Sequence, residues 1–168
     1  LGTPAIGNLD NDTELEVVFS GYSSGNKIWA LNPDGTSVPG FPFDLGEKVK
    51  AGVALADFNS NGKDDIVIGT DDDNLYLIYD DGIVAPGFPF QAGDKIQSAP
   101  SVADIDLQKV IFVGSNDNTF YALNSDGSIN FSLDAENKIV NSPSFLEFGD
   151  SFYIFFSDDS GILYGVDE

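Results

Sequence analysis

The fold is indicated by residues 53–82, which read VALADFNSNGKDDIVIGTDDDNLYLIYDDG. Three short apolar runs, at 53–56, 65–70 and 74–79, alternate with segments rich in Asp, Asn and Gly. Short runs of Val, Ile, Leu and Tyr between turn-forming residues are typical of β-strands. No window of the chain shows an apolar stripe with helical spacing. The stretch therefore predicts consecutive antiparallel strands joined by tight hairpins.

The same pattern occurs four times along the 168 residues. Asp-Gly pairs beginning at Asp34, Asp81 and Asp126 follow the third run at intervals of 47 and 45 residues. A fourth apolar element, at 37–45, 83–92 and 128–133, follows each of these pairs. In the first two copies it contains Gly-Phe-Pro-Phe, and proline is tolerated in a sheet only at an edge or a bulge. One aromatic lies in register in the third run of every copy: Trp29, Tyr76, Tyr121 and Tyr164.

Four strands per repeat, with a proline-bearing outer strand, predict an all-β fold of β-propeller blades. The blades are expected at about 1–49, 50–96, 97–139 and 140–168, within a single propeller segment. A β-sandwich is the alternative, but it does not predict a fourfold register. The last copy lacks its outer strand and the chain starts at Leu1 without Met, so we expect an arc of a larger propeller or one that self-associates through its open blade edges.

The composition excludes several classes of function. The chain is 42% hydrophobic and carries 28 acidic residues against seven Lys, for a net charge of −21, with no Arg, His or Cys. The negative field repels nucleic acid, and the missing residue types exclude Ser-His-Asp triads, cysteine nucleophiles and the usual zinc sites. No apolar run reaches 18 residues, so no membrane span is expected.

The loop at 57–65 of the second copy has the pattern of a calcium site. Oxygen-bearing side chains stand at positions one, three, five and nine, where alternate side chains can converge on one point, and the carbonyl of position seven adds an oxygen. An EF-hand is excluded because its position twelve would fall on a strand residue, Phe19 or Ile68. The predicted calcium ligands are Asp57, Asn59, Asn61, Asp65 and the carbonyl of Lys63.

The loop at 8–16 of the first copy repeats this pattern with Thr13 where the second copy has a glycine, Gly62. A threonine would be strained there if the position needs a positive φ. For both loops a solvated acidic turn is the alternative, since Asp, Asn and Gly are ordinary turn formers. The predicted ligands in the first loop are Asn8, Asp10, Asp12, Glu16 and the carbonyl of Glu14.

The other two copies predict no metal site. The third copy retains Asp104 and Asp106 in a shorter loop, and the fourth retains Glu147 and Asp150. Lys109 either stabilises the third loop by its charge, where a cation would otherwise lie, or is simply solvated.

Residues 57–65, followed by Ile66-Val67-Ile68-Gly69, resemble the FG-GAP or VCBS repeat of integrin-like propellers. Parts of the third copy, at 98–100, 113–117 and 121–124, also resemble PQQ-like propeller repeats. The resemblance implies a secreted or cell-surface, calcium-binding propeller that serves in adhesion or as an accessory domain.

Three functions are consistent with these observations. The first is a non-catalytic binding module whose calcium-stabilised loops contact a protein or a glycan. The second is a segment of a carbohydrate-active lyase or hydrolase, although the acidic runs at 71–73, 80–81 and 158–159 fall in turns, where solvated charge is usual. The third is a structural accessory domain. A quinone enzyme is disfavoured because the chain has no Arg to hold the cofactor.

Overall fold

The computed structural model describes residues 2–10, 12–21, 25–149 and 151–167. These ranges form four separate antiparallel sheets in which the strands follow chain order. Among them there is no helix long and apolar enough to cross a membrane. The sequence prediction of four repeated sheets is therefore confirmed.

The strands have the following bounds, sheet by sheet. Sheet one contains β1 (Ala5–Gly7), β2 (Glu16–Ser20), β3 (Lys27–Leu31) and β4 (Phe43–Asp44). Sheet two contains β5 (Val53–Ala56), β6 (Asp65–Gly69), β7 (Asn74–Ile78) and β8 (Phe90–Gln91). Sheet three contains β9 (Ser101–Ile105), β10 (Gln108–Gly114), β11 (Thr119–Asn124) and β12 (Ile129–Asp134). Sheet four contains β13 (Ser144–Phe148), β14 (Ser151–Ser157) and β15 (Leu163–Asp167).

The second strand of each of the two middle blades, β6 in blade two and β10 in blade three, is buried on both faces. Every residue of β6 is buried, as are residues 110–114 of β10. Continuous burial requires cover on both sides of the sheet, and the neighbouring blades supply it. The inner strands β1, β5 and β9 contact one another in that order, so the small residues of these strands lie along one side of the arc.

The outer strands of the first two blades are shorter than the sequence predicts. Most of 37–45 and 83–92 is not strand: a single bridge forms at Ser37 and at Val84, followed by the two-residue strands β4 and β8. Proline has no N–H for the ladder, and the Phe41-Pro42 and Phe88-Pro89 bonds are cis. The third blade lacks this motif, and its outer strand β12 has six residues with one register shift.

The Gly-Phe-Pro-Phe segments contact the Asp-Gly turn of the following blade. Gly87 has a φ of 88°, and a Cβ built on it would overlap the carbonyl oxygen of Asp126. A Cβ built on Gly40 would overlap the carbonyl oxygen of Asp81 in the same way. The two sequence signatures of the repeat therefore pack against each other at the outer rim, and glycine is needed there for both backbone conformation and space.

We predict that Gly87→Ala destabilises the protein far more than Gly161→Ala. Both glycines have nearly the same φ, 88° and 90°, so the conformational cost of alanine, about 1 kcal/mol, is shared. An added Cβ at Gly161 meets no atom within 4 Å, whereas at Gly87 it must displace backbone. We expect urea unfolding to show an excess loss of about 2 kcal/mol for Gly87→Ala. Equal losses would show that the rim contact contributes nothing.

Candidate functional site

The two candidate loops, 8–16 and 57–65, lie side by side at one edge of the arc. Each joins the inner strand of its blade to the second strand. The Asp64 N–H donates to the Asn8 carbonyl at 2.6 Å, and the Asn8 N–H donates to Asp64 Oδ2 at 3.0 Å. Asn8 Nδ2 also donates to the Gly62 carbonyl at 3.1 Å. The first ligand position of one loop is thus bonded directly to the other loop.

The two loops share a pair of internal hydrogen bonds. The N–H of position five donates to the side chain of position three, and the N–H of position seven donates to the side chain of position five. These Asx turns fold the odd-numbered side chains back over the loop, as the sequence pattern requires. The donor–acceptor distances are 2.9 Å for Asp12 to Asp10, 2.7 Å for Glu14 to Asp12, 3.1 Å for Asn61 to Asn59 and 2.8 Å for Lys63 to Asn61.

Position nine of each loop is a fully buried carboxylate that begins a strand. Glu16 Oε2 accepts the Leu9 N–H at 2.6 Å, and Asp65 Oδ2 accepts the Phe58 N–H at 2.9 Å. Burial raises the pKa of Glu16, and the charges of Asp10 and Asp12 raise it further. Burial also raises the pKa of Asp65 to about 6. Each loop therefore keeps an anion in a place where its charge is unfavourable without a nearby cation.

The first loop brings three of its predicted ligands together. Oxygens of Asp10, Asp12 and Glu16 all lie within 4.8 Å of one another. Glu16 Oε1 and Asn8 Oδ1 are buried and have no hydrogen-bond partner in the described part of the chain. Buried oxygens are normally paired, and three carboxylates with spare lone pairs suit a hard cation such as Ca²⁺. The residues of this loop fit the predicted ion, and the carbonyl of Glu14 at position seven is the remaining predicted ligand.

The second loop has more of its oxygens engaged in hydrogen bonds. Asp57 accepts the Asn61 and Gly62 N–H groups at 3.1 and 2.9 Å. Asn61 Nδ2 donates to Asp80 Oδ1 at 2.7 Å, and the Lys63 ammonium pairs with Asp80 Oδ2. The predicted ligands Asn59 and Asp65 are in contact at 3.5 Å. In this loop a lysine side chain supplies positive charge beside the carboxylates.

Asp80 is a site residue that the sequence analysis missed, because it was assigned to a solvated acidic run. It is 6% exposed, and its N–H donates to Asp65 Oδ1 at 3.0 Å. Although burial opposes its ionisation, hydrogen bonds from Lys63 and Asn61 hold the pKa of Asp80 below its usual value. The sequence signal that could have identified Asp80 is its position just after β7, the strand that pairs with β6.

The strain expected at Thr13 does not arise. Thr13 is not among the residues with a positive φ, whereas Gly62, at the same loop position, has a φ of 84°. The two loops therefore share their Asx turns but differ in backbone path at position six. The first loop does not need glycine there.

The third and fourth hairpins are built differently. Asp106 and Leu107 form a tight turn with φ values of 48° and 65°, and Lys109 Nζ lies 2.9 Å from Asp104 Oδ1. Of the two alternatives for Lys109, the structure therefore shows the ion pair. Glu147 is exposed at the end of β13, and Asp150 lies outside the described residues.

Other acidic side chains complete turns or connect blades. Asp34 and Asp126 accept hydrogen bonds from the residue two positions later, which lowers the pKa of each carboxyl. The in-register tyrosines donate to carboxylates near the blade junctions: Tyr76 to Glu47 at 2.7 Å, Tyr121 to Asp117 at 2.7 Å and Tyr164 to Asp158 at 2.9 Å. These groups have structural partners already.

A polar cavity of about 590 Å³ separates the second loop from the third hairpin. Its lining includes Asp57, Phe58, Asp104, Lys109 and Asp126. The cavity adjoins a candidate calcium loop, so an ion in that loop would also stiffen one wall of the cavity.

Comparison with known proteins supports the repeat and the fold. A model of the FG-GAP-like repeat matches residues 8–68, a segment that contains both candidate loops. No curated protein sequence matches the chain.

Three solved structures share the fold at low sequence identity. BamB from Moraxella catarrhalis is 16% identical, with a TM-score of 0.68 over 96% of this chain and 45% of that one. BBS1N, solved in complex with ARL6DN, is 16% identical, with a TM-score of 0.71 over 98% of this chain and 54% of that one. A europium-containing methanol dehydrogenase is 12% identical, with a TM-score of 0.70 over 93% of this chain and 39% of that one.

The chain thus spans between 39% and 54% of the length of these three structures. Residues 8–68 match the FG-GAP-like repeat, and the four sheets together have the fold of β-propeller blades.

Proposed function

We propose that this propeller segment is a non-catalytic, extracellular protein-binding module whose first-blade loop binds Ca²⁺. The observation that carries the proposal is the cluster of the Asp10, Asp12 and Glu16 carboxylates, in a loop where Glu16 Oε1 and Asn8 Oδ1 are buried without a hydrogen-bond partner among the described residues. Both oxygens belong to residues whose spacing predicts calcium ligands.

The donor set selects the kind of ion. Every candidate ligand offers oxygen, which suits Ca²⁺ and not the nitrogen- and sulfur-preferring zinc. Acidic loops on extracellular modules bind Ca²⁺ with dissociation constants of about 0.1 to 1 mM, close to the calcium concentration outside cells. A loop with an affinity in this range is occupied outside cells, and for that reason we propose an extracellular location together with the calcium site.

The second loop is proposed as a second calcium site, with Asp57, Asn59, Asn61, Asp65 and the Lys63 carbonyl as ligands. Asp80 adds a buried carboxylate to this set. Its ion pair with Lys63 competes with a bound cation, so we expect the second loop to bind Ca²⁺ more weakly than the first.

The binding partner is proposed to be a protein with a basic surface. A net charge of −21 steers positively charged partners towards the molecule. The cavity between blades two and three offers carboxylates and amides, with Phe58 and Leu107 as its apolar lining residues. BBS1N, which has the same fold, was solved in complex with a partner protein.

Catalysis is not proposed because the acidic side chains near the loops already accept hydrogen bonds that stabilise the turns. The turn carboxylates bind backbone N–H groups, and those in the loops close Asx turns. The methanol dehydrogenase shares only the fold with this chain.

Calcium is predicted to raise the melting temperature of the chain, and Glu16→Gln to remove most of that rise. An ion that binds only the folded state at 100 times its dissociation constant stabilises it by about 2.7 kcal/mol, or roughly 5 to 10 °C at this size. With a dissociation constant of about 0.1 mM, about 10 mM CaCl₂ reaches this excess, and with one of about 1 mM the same concentration stabilises the chain by about 1.4 kcal/mol. Calorimetry in EDTA and in about 10 mM CaCl₂ measures the effect. The matched control is Glu147→Gln, an exposed acid in the fourth-copy hairpin, which should retain the full response. An identical melt in EDTA and calcium would refute the calcium site.

A pH dependence is predicted for Asp65 in the calcium-free protein. Its folded-state pKa of about 6 lies above the unfolded value, so the folded state binds the proton more tightly. The stabilisation is complete below about pH 4 and is lost as the pH rises through 6. Relative to Asp65→Asn, which does not titrate, the wild type should lose up to about 3 kcal/mol between pH 4 and pH 8. Urea unfolding in EDTA at several pH values measures this difference, and a constant difference would contradict the raised pKa.

A further inference from the structure

The first ligand position of the first loop, Asn8, lies at the junction between blades one and two. Asn8 directly follows β1 of blade one, and its hydrogen-bond partners belong to the second loop, on blade two. Its N–H donates to Asp64 Oδ2 at 3.0 Å, and its carbonyl accepts the Asp64 N–H at 2.6 Å. Its Nδ2 donates to the Gly62 carbonyl at 3.1 Å. Three of the four polar groups of Asn8 are therefore held by the neighbouring blade.

These bonds also fix the orientation of the Asn8 amide. The Gly62 carbonyl can only accept a hydrogen bond, so the amide nitrogen of Asn8 must face it and Oδ1 must point elsewhere. Oδ1 is buried and has no hydrogen-bond partner among the described residues. An aspartate at position 8 would place a carboxylate oxygen against the Gly62 carbonyl, which accounts for an asparagine here where the second loop has Asp57. The contact with blade two thus leaves one oxygen of Asn8 for an ion.

The backbone at Asn8 continues directly into the carboxylate cluster of the loop. The next residue is Leu9, whose N–H donates to Glu16 Oε2 at 2.6 Å. The other carboxylate oxygen of Glu16 is buried and unpartnered in the described part of the chain, and oxygens of the two remaining acidic ligands lie within 4.8 Å of Glu16. A shift of Asn8 would therefore move its own oxygen and also the N–H that orients Glu16.

The chain has no side chain at the point where Asp64 approaches blade one. A Cβ built on Gly7 would lie 2.5 Å from Asp64 Oδ2 and 2.8 Å from Leu55 Cδ1. Gly7 is not among the glycines with a positive φ, so its backbone conformation does not require glycine. The equivalent residue before the second loop is Ala56, which carries a Cβ. Glycine at position 7 thus permits the close approach of the Asp64 carboxylate to the residue that follows.

Among the described residues, the second loop has no corresponding support from blade three. Asp57, its first ligand position, accepts the N–H groups of Asn61 and Gly62 in its own loop. The cavity of about 590 Å³ lies between this loop and the third hairpin. The contact across the junction therefore distinguishes the first loop from the second, although the two share one sequence pattern.

We propose that Asp64 is a positioning residue of the first calcium site, which binds no ion itself but holds Asn8 so that Oδ1 is available to the ion. The inference rests on the proposed calcium site of blade one. Because Asp64 belongs to blade two, that site is complete only when the two blades are packed together. Removal of a group that orients a metal ligand typically weakens metal binding by about 10- to 100-fold.

The proposal is tested by calorimetric titration of Ca²⁺ alone into the 168-residue chain and two variants, Asp64→Ala and Asp64→Asn. Both variants lose the same charge, but the asparagine retains an oxygen that can accept the Asn8 N–H. We expect the dissociation constant of the first site to rise about tenfold in Asp64→Ala and most of that loss to be restored in Asp64→Asn. The dissociation constant of a folded variant does not depend on its global stability, and circular dichroism in EDTA checks that each variant is folded.

A double-mutant cycle with Glu16→Gln assigns the effect to the first site. In the Glu16→Gln background that site is lost, so Asp64→Ala should change the remaining calcium binding far less than it does in the wild type. Glu147→Ala removes an exposed charge in the fourth hairpin and is the control, which should leave calcium binding unchanged. Should Asp64→Ala fail to fold, Asp64→Ser, with a shorter side chain, takes its place.

Equal affinities of the wild type and Asp64→Ala would overturn the proposal and leave the calcium site itself standing. A loss in Asp64→Asn as large as that in Asp64→Ala would contradict it too, because the effect would then come from charge and not from the hydrogen bond. An undiminished effect in the Glu16→Gln background would show that Asp64 acts on its own loop. A wild type that binds no calcium would refute this proposal together with the proposed function.

Discussion

The structure depends on the burial of apolar side chains on both faces of each blade. A single four-stranded sheet cannot cover itself, so the middle strands are stable only between neighbours. This requirement explains why β6 is buried along its whole length and why the facing residues of successive blades form three separate core clusters. Stability in such a chain is approximately a sum of blade and junction contributions.

The same packing places the chemistry at the loops. Once the strands of blades one and two are stacked, the hairpins 8–16 and 57–65 must emerge side by side at one edge, where Asn8 and Asp64 bond to each other. Glu16 and Asp65 begin their strands, so stacking buries them together with the strand. A buried carboxylate with a raised pKa is unfavourable in isolation, and a cation bound in the loop offsets that cost. In the second loop the ammonium of Lys63, held by Asp80, supplies part of the compensation.

Much of this arrangement is predictable from local sequence, and the exceptions share a cause. The repeat period, the strand order and the equivalence of the two loops follow from spacing alone, because hairpins and Asx turns are local structures. The short outer strands were not predicted, because Gly40 and Gly87 pack on the Asp-Gly turn of the next blade and do not pair in the ladder of their own sheet. Asp80 was missed because its partners are the side chains of Asp65 and Lys63 in the preceding loop, and neither contact is visible in an acidic run. Thr13 is not strained because position six has a positive φ in the second loop but not in the first, although the two loops share one sequence pattern.

The proposed calcium loop and a pair of exposed apolar side chains belong to the same two strands. Gly7 and Glu16 are paired partners at the ends of β1 and β2, and the next pair, Ile6 and Val17, is 67% and 37% exposed. An ion bound by Asp10, Asp12 and Glu16 would hold the loop that joins these strands and so reduce the freedom of the surface beside it.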